Sequence, residues 1–143
     1  MKKKHKAIIV MNSQHSLMDS QVDILQGKFD DYSVYPVPPQ GWTMDQMDDH
    51  IQKIQKQISQ LDAYMSVIFV SPIPHMMIRL QDMAISADGG VADGGLAMPT
   101  IVYDYGVGAF QAPLRKKVQK GDSIFYTVPK KGWTLVGVGL DQH

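Results

Sequence analysis

Residues 7–11, Ala-Ile-Ile-Val-Met, are five consecutive apolar side chains bounded by polar ones, and no other feature constrains the fold as tightly. Successive strand residues point to opposite faces, so a strand that is apolar throughout must be covered on both. Residues 65–70 are a second such run, broken only by Ser66. Between them Met44, Met47, Ile51, Ile54, Ile58 and Leu61 alternate in threes and fours, the spacing of one helical stripe. Thr43 is placed to cap that helix, and Asp45, Asp48 and Asp49 precede Lys53 and Lys56, the order the helix dipole favours. Buried strands joined by amphipathic helices make a parallel sheet with helices packed on it.

The remaining segments extend the pattern. Residues 12–16 read as a polar turn, with Ser16 and Asp19 spaced as a capping box. The helix they open runs to about Phe29, with Leu17, Val22, Leu25 and Phe29 on one face. Residues 32–37 read as a strand stopped by Pro38 and Pro39, and Pro72 and Pro74 open a helix reaching about Ser86. Residues 100–103 read as a fourth strand and 106–122 as irregular. Residues 124–128 and 133–138 read as a C-terminal antiparallel hairpin turning at 129–132. The expected fold class is α/β: a Rossmann-like, open, mostly parallel sheet with helices on both faces and the hairpin at an edge. Right-handed crossovers favour the strand order 2-1-3-4. Nothing resembling a linker interrupts residues 1–143, so one domain is expected.

Composition narrows the functions. Fourteen lysines and arginines balance fourteen acidic residues, so no global charge recruits duplex nucleic acid or an anionic membrane. An anionic ligand must be held by local geometry. The absence of cysteine excludes disulfides, thiolate metal sites and a cysteine nucleophile, and fits a cytoplasmic location. The lysine-rich start resembles the basic region of an export signal, but its apolar run is too short, and no stretch approaches a membrane span.

In an open α/β sheet, ligands bind beyond the carboxyl ends of the strands where the winding reverses. In the order 2-1-3-4 that place lies between the loops after the first and third strands. These read Asn12-Ser13-Gln14-His15-Ser16 and Ser71-Pro72-Ile73-Pro74-His75. Hydroxyls, a histidine and helix-start N–H groups in each suit phosphate. Neither a Gly-x-Gly-x-x-Gly after the first strand nor a Walker motif is present, which argues against dinucleotide and P-loop enzymes. The repeated Ala-Asp-Gly-Gly at 87–90 and 92–95 follows a helix and precedes a strand, the reverse of a phosphate loop, and reads as a connection. His15 and His75 are the histidines expected to converge. They lack a nearby acidic partner, so neither metal nor cofactor is expected. Either could act as base toward Ser13 or Ser71, although no nucleophile elbow accompanies them. The basic cluster Arg115, Lys116, Lys117 and Lys120 is placed to neutralise a polyanion, and Trp42, Tyr105 and Phe110 offer rings on which bases stack.

Residues 7–80 carry a resemblance. A strand is followed by Ser13-Gln14-His15-Ser16-Leu17 and Gln21. The second strand ends at Val37-Pro38, Gly41-Trp42-Thr43 opens the long helix, and the next strand ends in Ser71-Pro72-Ile73-Pro74. This pattern resembles the small stand-alone CARF-like proteins associated with type III CRISPR systems, with Gln14 inserted before the histidine. The resemblance implies recognition of a cyclic oligoadenylate, with cyclic tetra-adenylate the expected ring, in a crevice presented twice by a homodimer. It implies that Ser13, Gln14, His15, Ser71 and His75 grip the ring and that Arg115, Lys116 or Lys117 close over it. Three readings stay open: sequestration of the messenger, its metal-independent cleavage, or a scaffold using Met76, Met77 and Met83 as an adaptable face.

Overall fold

The computed structural model describes residues 4–86, 105–138 and 140. Its elements are β1 (Lys4–Asn12), α1 (Asp19–Lys28), β2 (Asp31–Val37), α2 (Met44–Gln60), β3 (Ala63–Phe69), α3 (Pro74–Ser86), β4 (Tyr105–Gln111), β5 (Lys116–Lys120), β6 (Ser123–Thr127) and β7 (Thr134–Val138). Five strands form one sheet in the order β2-β1-β3-β4-β7, and β5 and β6 form a separate antiparallel hairpin. The strands β2, β1, β3 and β4 are parallel neighbours, and β7 runs antiparallel to β4. The mostly parallel α/β sheet with a C-terminal antiparallel hairpin is thus the fold that the apolar runs require.

Alternation along the central strands divides the core in two. Ile8, Val10, Val67 and Phe69 face α2 and α3, meeting Ile51, Ile54, Ile58, Met76 and Leu80. Ala7, Ile9, Met11 and Ile68 face α1, meeting Leu25 and Phe29. The helix between β1 and β2 therefore covers one face, and the helices that follow cover the other. The winding reverses at β1, beside β3. Ile9, Leu25, Ile54, Ile68 and Phe69 are wholly buried, each contributing about 1.5–3 kcal/mol by transfer from water.

Several boundaries differ from expectation. The first helix is capped at Met18 rather than Ser16. Gln21 Oε1 accepts the Met18 N–H at 2.9 Å, and Met18 O accepts the first helical bond, from the Val22 N–H. The stripe of α2 is buried in its middle, while Met44 and Leu61 at its ends are exposed.

Residues 105–111 form a strand where an irregular segment was expected, because Gly106 and Gly108 dilute its apolar pattern. The glycine at 108 is needed for close approach to β7. A Cβ there would lie 2.8 Å from Val136 O, and one at its partner Gly137 would lie 2.3 Å from Val107 O. The segment 124–128 pairs with residues 116–120 instead of 133–138, around a tight turn at Gly121-Asp122 with Gly121 at φ +62°. Residues 129–132 become the connection that returns the chain to β7. The expected strand at 100–103 and the Ala-Asp-Gly-Gly repeat lie outside the described residues. No described helix is long and apolar enough to cross a membrane.

Because β7 opposes the other strands, Val138 pairs with Val107 and stands at the mid-height of the sheet, level with Val67 and Ile8, whereas Lys4 pairs with Ala63 at the amino ends of the parallel strands.

Candidate functional site

Three loops meet at the carboxyl ends of β1, β2 and β3. After β1 the chain turns tightly: Asn12 Oδ1 accepts the Gln14 N–H at 2.9 Å and Asn12 O accepts the His15 N–H at 3.0 Å. The Ser13 N–H donates to Val37 O at 2.8 Å, tying this turn to the end of β2. After β2, Pro38 O accepts the Gly41 N–H at 2.8 Å, and Gly41 at φ +76° redirects the chain into Trp42. Thr43 and Gln46 then form a reciprocal capping box, with Thr43 Oγ1 accepting the Gln46 N–H and Gln46 Oε1 accepting the Thr43 N–H. That box places Trp42 just before the helix and Met47 one turn into it, the two positions of a hydrophobic staple. After β3, Ile73 O accepts the Met77 N–H, so Pro74 occupies a first-turn position where its missing N–H costs nothing.

Asn12, Trp42, Met47, Ser71 and Ile73 line one cleft of about 170 Å³, walled by Val37, Pro38 and Pro39. This volume is below the roughly 300 Å³ at which small-molecule pockets begin. The cleft can take one flat ring or one phosphate of a larger ligand that lies across the loops. It sits where β1 and β3 adjoin, the place where the winding reverses.

Behind the cleft Trp42 belongs to an aromatic cluster. Its ring stacks on His50 at a centroid distance of 3.9 Å and an angle of 22°. Tyr35 stands edge-on to both rings, and its hydroxyl lies 2.7 Å from His50 Nδ1. Burial holds the His50 pKa below its ordinary value, with Lys53 acting in the same direction and Asp49 against it. Burial also raises the Tyr35 pKa. Both shifts favour the neutral forms, and one hydrogen bond joins the phenol to Nδ1.

A second pair joins the helices beside the cleft. His75 Nε2, in the first turn of α3, lies 2.8 Å from Asp48 Oδ1 on α2. This corrects the expectation that His75 has no acidic partner. A carboxylate accepting from Nε2–H fixes the tautomer and leaves Nδ1 as the basic nitrogen of a neutral ring.

The other sequence candidates are dispersed. Ser13, Gln14, His15 and Ser16 are exposed on the loop after β1, and Pro72 is exposed after β3. Arg115, Lys116 and Lys117 are exposed at the start of the hairpin and do not line the cleft. Tyr105 and Phe110 are buried core residues rather than stacking faces: the Tyr105 hydroxyl donates to Leu80 O at 2.7 Å, and Phe110 stands edge-on to Trp133. Met76 is fully buried, and Met77 and Met83 pack against the same core, which removes the methionine face a scaffold would use.

Tyr35, His50 and Asp48 were not singled out from sequence. The alternation of β2 puts Tyr35 on the face of α2, and the i, i+3 placement of Met47 and His50 was the signal available for His50. A larger depression of about 600 Å³ lies elsewhere, between the start of α1 and Lys130 and Lys131. There Ser20 Oγ donates to Lys130 O at 2.5 Å. No protein-family model, curated protein or solved structure matches the chain.

Proposed function

We propose that this protein binds a cyclic oligoadenylate across the carboxyl ends of β1 and β3 and sequesters it. The observation that supports this reading most is the meeting of Asn12, Trp42 and Ser71, from three separate loops, in one cleft at the reversal of winding. An amide, an indole and a hydroxyl can respectively bond a base edge, stack on a base and bond a phosphate or ribose. The ring exceeds the cleft, so the exposed groups of Ser13, Gln14 and His15 meet its remaining phosphates, and the cations of Arg115, Lys116 and Lys117 supply long-range attraction. A two-fold dimer presents the crevice twice to a ligand that itself has rotational symmetry.

The Asp48–His75 pair favours a second reading, cleavage of the same ligand. A ribose 2′-hydroxyl attacks its own 3′-phosphorus, a P–O2′ bond forms, the P–O5′ bond breaks, and the product is a 2′,3′-cyclic phosphate. His75 Nδ1 takes the 2′ proton, and the departing 5′ oxygen takes one from water. Asp48 stabilises the imidazolium so formed.

Titration calorimetry with cyclic tri-, tetra- and hexa-adenylate, followed by chromatography of the recovered nucleotide, tests both. Heat with one ring recovered intact supports sequestration, and its recovery cut supports cleavage. The absence of heat with every ring refutes the ligand class.

A further inference from the structure

The hairpin of β5 and β6 stands apart from both core clusters. Every residue of β6 is exposed, and in β5 only Val118 is partly covered. Ile124 is 54% and Tyr126 61% exposed, with Phe125 beside them. A two-stranded ribbon without a packed face is marginal in water and becomes stable with further strands or a covering layer.

The two edges of this ribbon differ. Its β5 edge reads Lys-Lys-Val-Gln-Lys, the charged composition that prevents strands from adding. Its β6 edge reads Ser-Ile-Phe-Tyr-Thr, without charge and rich in residues that favour strands. On the main sheet, the outer edge of β2 is blunted by Pro36 and Asp31. The outer edge of β7 is uncharged too, but β7 is already held in a five-stranded sheet.

The register shows which backbone groups are free. The two-residue turn at Gly121-Asp122 closes on the pair Lys120 and Ser123, which exchanges hydrogen bonds. Alternation makes Phe125 and Thr127 bond to β5, and turns the N–H and C=O of Ile124 and Tyr126 toward the open edge. Among the described residues no strand pairs with that edge.

We infer that β6 is the contact between two copies of this chain, pairing antiparallel with the β6 of its partner to form a four-stranded sheet. An uncharged strand meets its own copy without repulsion, and a two-fold axis makes antiparallel self-pairing the natural register. Lys116, Lys117 and Lys120 are carried to the two outermost strands, where the copies keep their cations apart. The apolar side chains of Ile124 and Tyr126 continue across the axis on one face. The inference goes beyond the ligand reading and is tested without nucleotide.

The test is sedimentation equilibrium of the full chain at micromolar concentration, with circular dichroism to follow folding. Wild type is expected at twice the single-chain mass of 16.0 kDa. Tyr126→Pro removes an outward N–H without touching the β5 ladder and is expected to halve the mass with little change in melting. Ile124→Lys places a charge on the same edge, leaves the backbone unaltered, and is expected to do the same. Lys117→Pro is the matched change on the guarded edge and is expected to leave the dimer intact. A monomeric wild type, a dimer that survives Tyr126→Pro and Ile124→Lys (through β7, for example), or equal loss in Lys117→Pro overturns the inference.

Discussion

Gly137→Ala tests the closest packing in the sheet. A Cβ at this position lies 2.3 Å from Val107 O and 2.5 Å from Gly108 Cα, both backbone atoms of the neighbouring strand. The first contact is about 1 Å inside even a weak carbon–oxygen hydrogen-bonding distance. No rotamer change relieves it, so β7 must move away from β4 and lengthen the ladder bonds beside it. Overpacking costs about 1–3 kcal/mol, and an obstacle made of backbone belongs near 3. For a chain of this length that corresponds to a melting temperature about 10 °C lower. Gly27→Ala is the internal comparison. This glycine lies within α1, a Cβ there meets nothing within 4 Å, and the change is worth about 0.5–1 kcal/mol in the stabilising direction. Thermal unfolding followed by circular dichroism decides the matter. The reasoning is refuted if Gly137→Ala melts close to wild type, or if Gly27→Ala falls with it.

Three further predictions concern the core and the site. Ile54→Ala, at a fully buried position on α2, is expected to cost about 2–5 kcal/mol, whereas Met44→Ala, exposed on the same helix, stays within about 0.5 kcal/mol; urea unfolding measures both. Because the folded pKa of His50 lies below 6.5, the unfolded chain takes up the proton first as the pH falls. The stability due to His50 is therefore complete above the unfolded value and declines as the pH drops below it toward the folded one. The urea midpoint should fall over that window, by less in His50→Gln, and an equal fall in both contradicts the assignment. Trp42→Ala is expected to weaken binding of the ring by about 1–3 kcal/mol, the worth of one stacked base; calorimetry showing unchanged affinity removes Trp42 from the site.

The parts of the fold legible in the sequence are those whose signal is local. The runs at 7–11 and 65–70 and the stripe from Met47 to Ile58 each state their own burial, and together they fix the order of the first three strands. The failures have a common cause. Gly106 and Gly108 dilute the apolar pattern of β4, and the need for glycine at 108 arises only from Gly137 across the ladder. The hairpin at 116–127 was hidden by its own lysines, which read as a basic cluster instead of the edge of a strand. Within the site, Asn12, Trp42 and Ser71 were reachable because loop positions follow from strand ends. The Asp48–His75 bond was not, because it spans 27 residues and depends on how α2 and α3 pack. Tyr105 and Phe110 were misassigned for the same reason, since an aromatic ring carries no local mark of which face of the sheet it will occupy.

The position of Lys4 has a practical consequence. As the first residue of β1 it stands level with Ala63 at the amino end of the sheet, while Asn12 ends the same strand at the cleft. The length of β1 separates the two by about 25 Å. Lys4 is exposed and the chain has no cysteine of its own, so a fluorophore coupled to a cysteine introduced at position 4 reports from the rear of the sheet and stays clear of anything held at the loops.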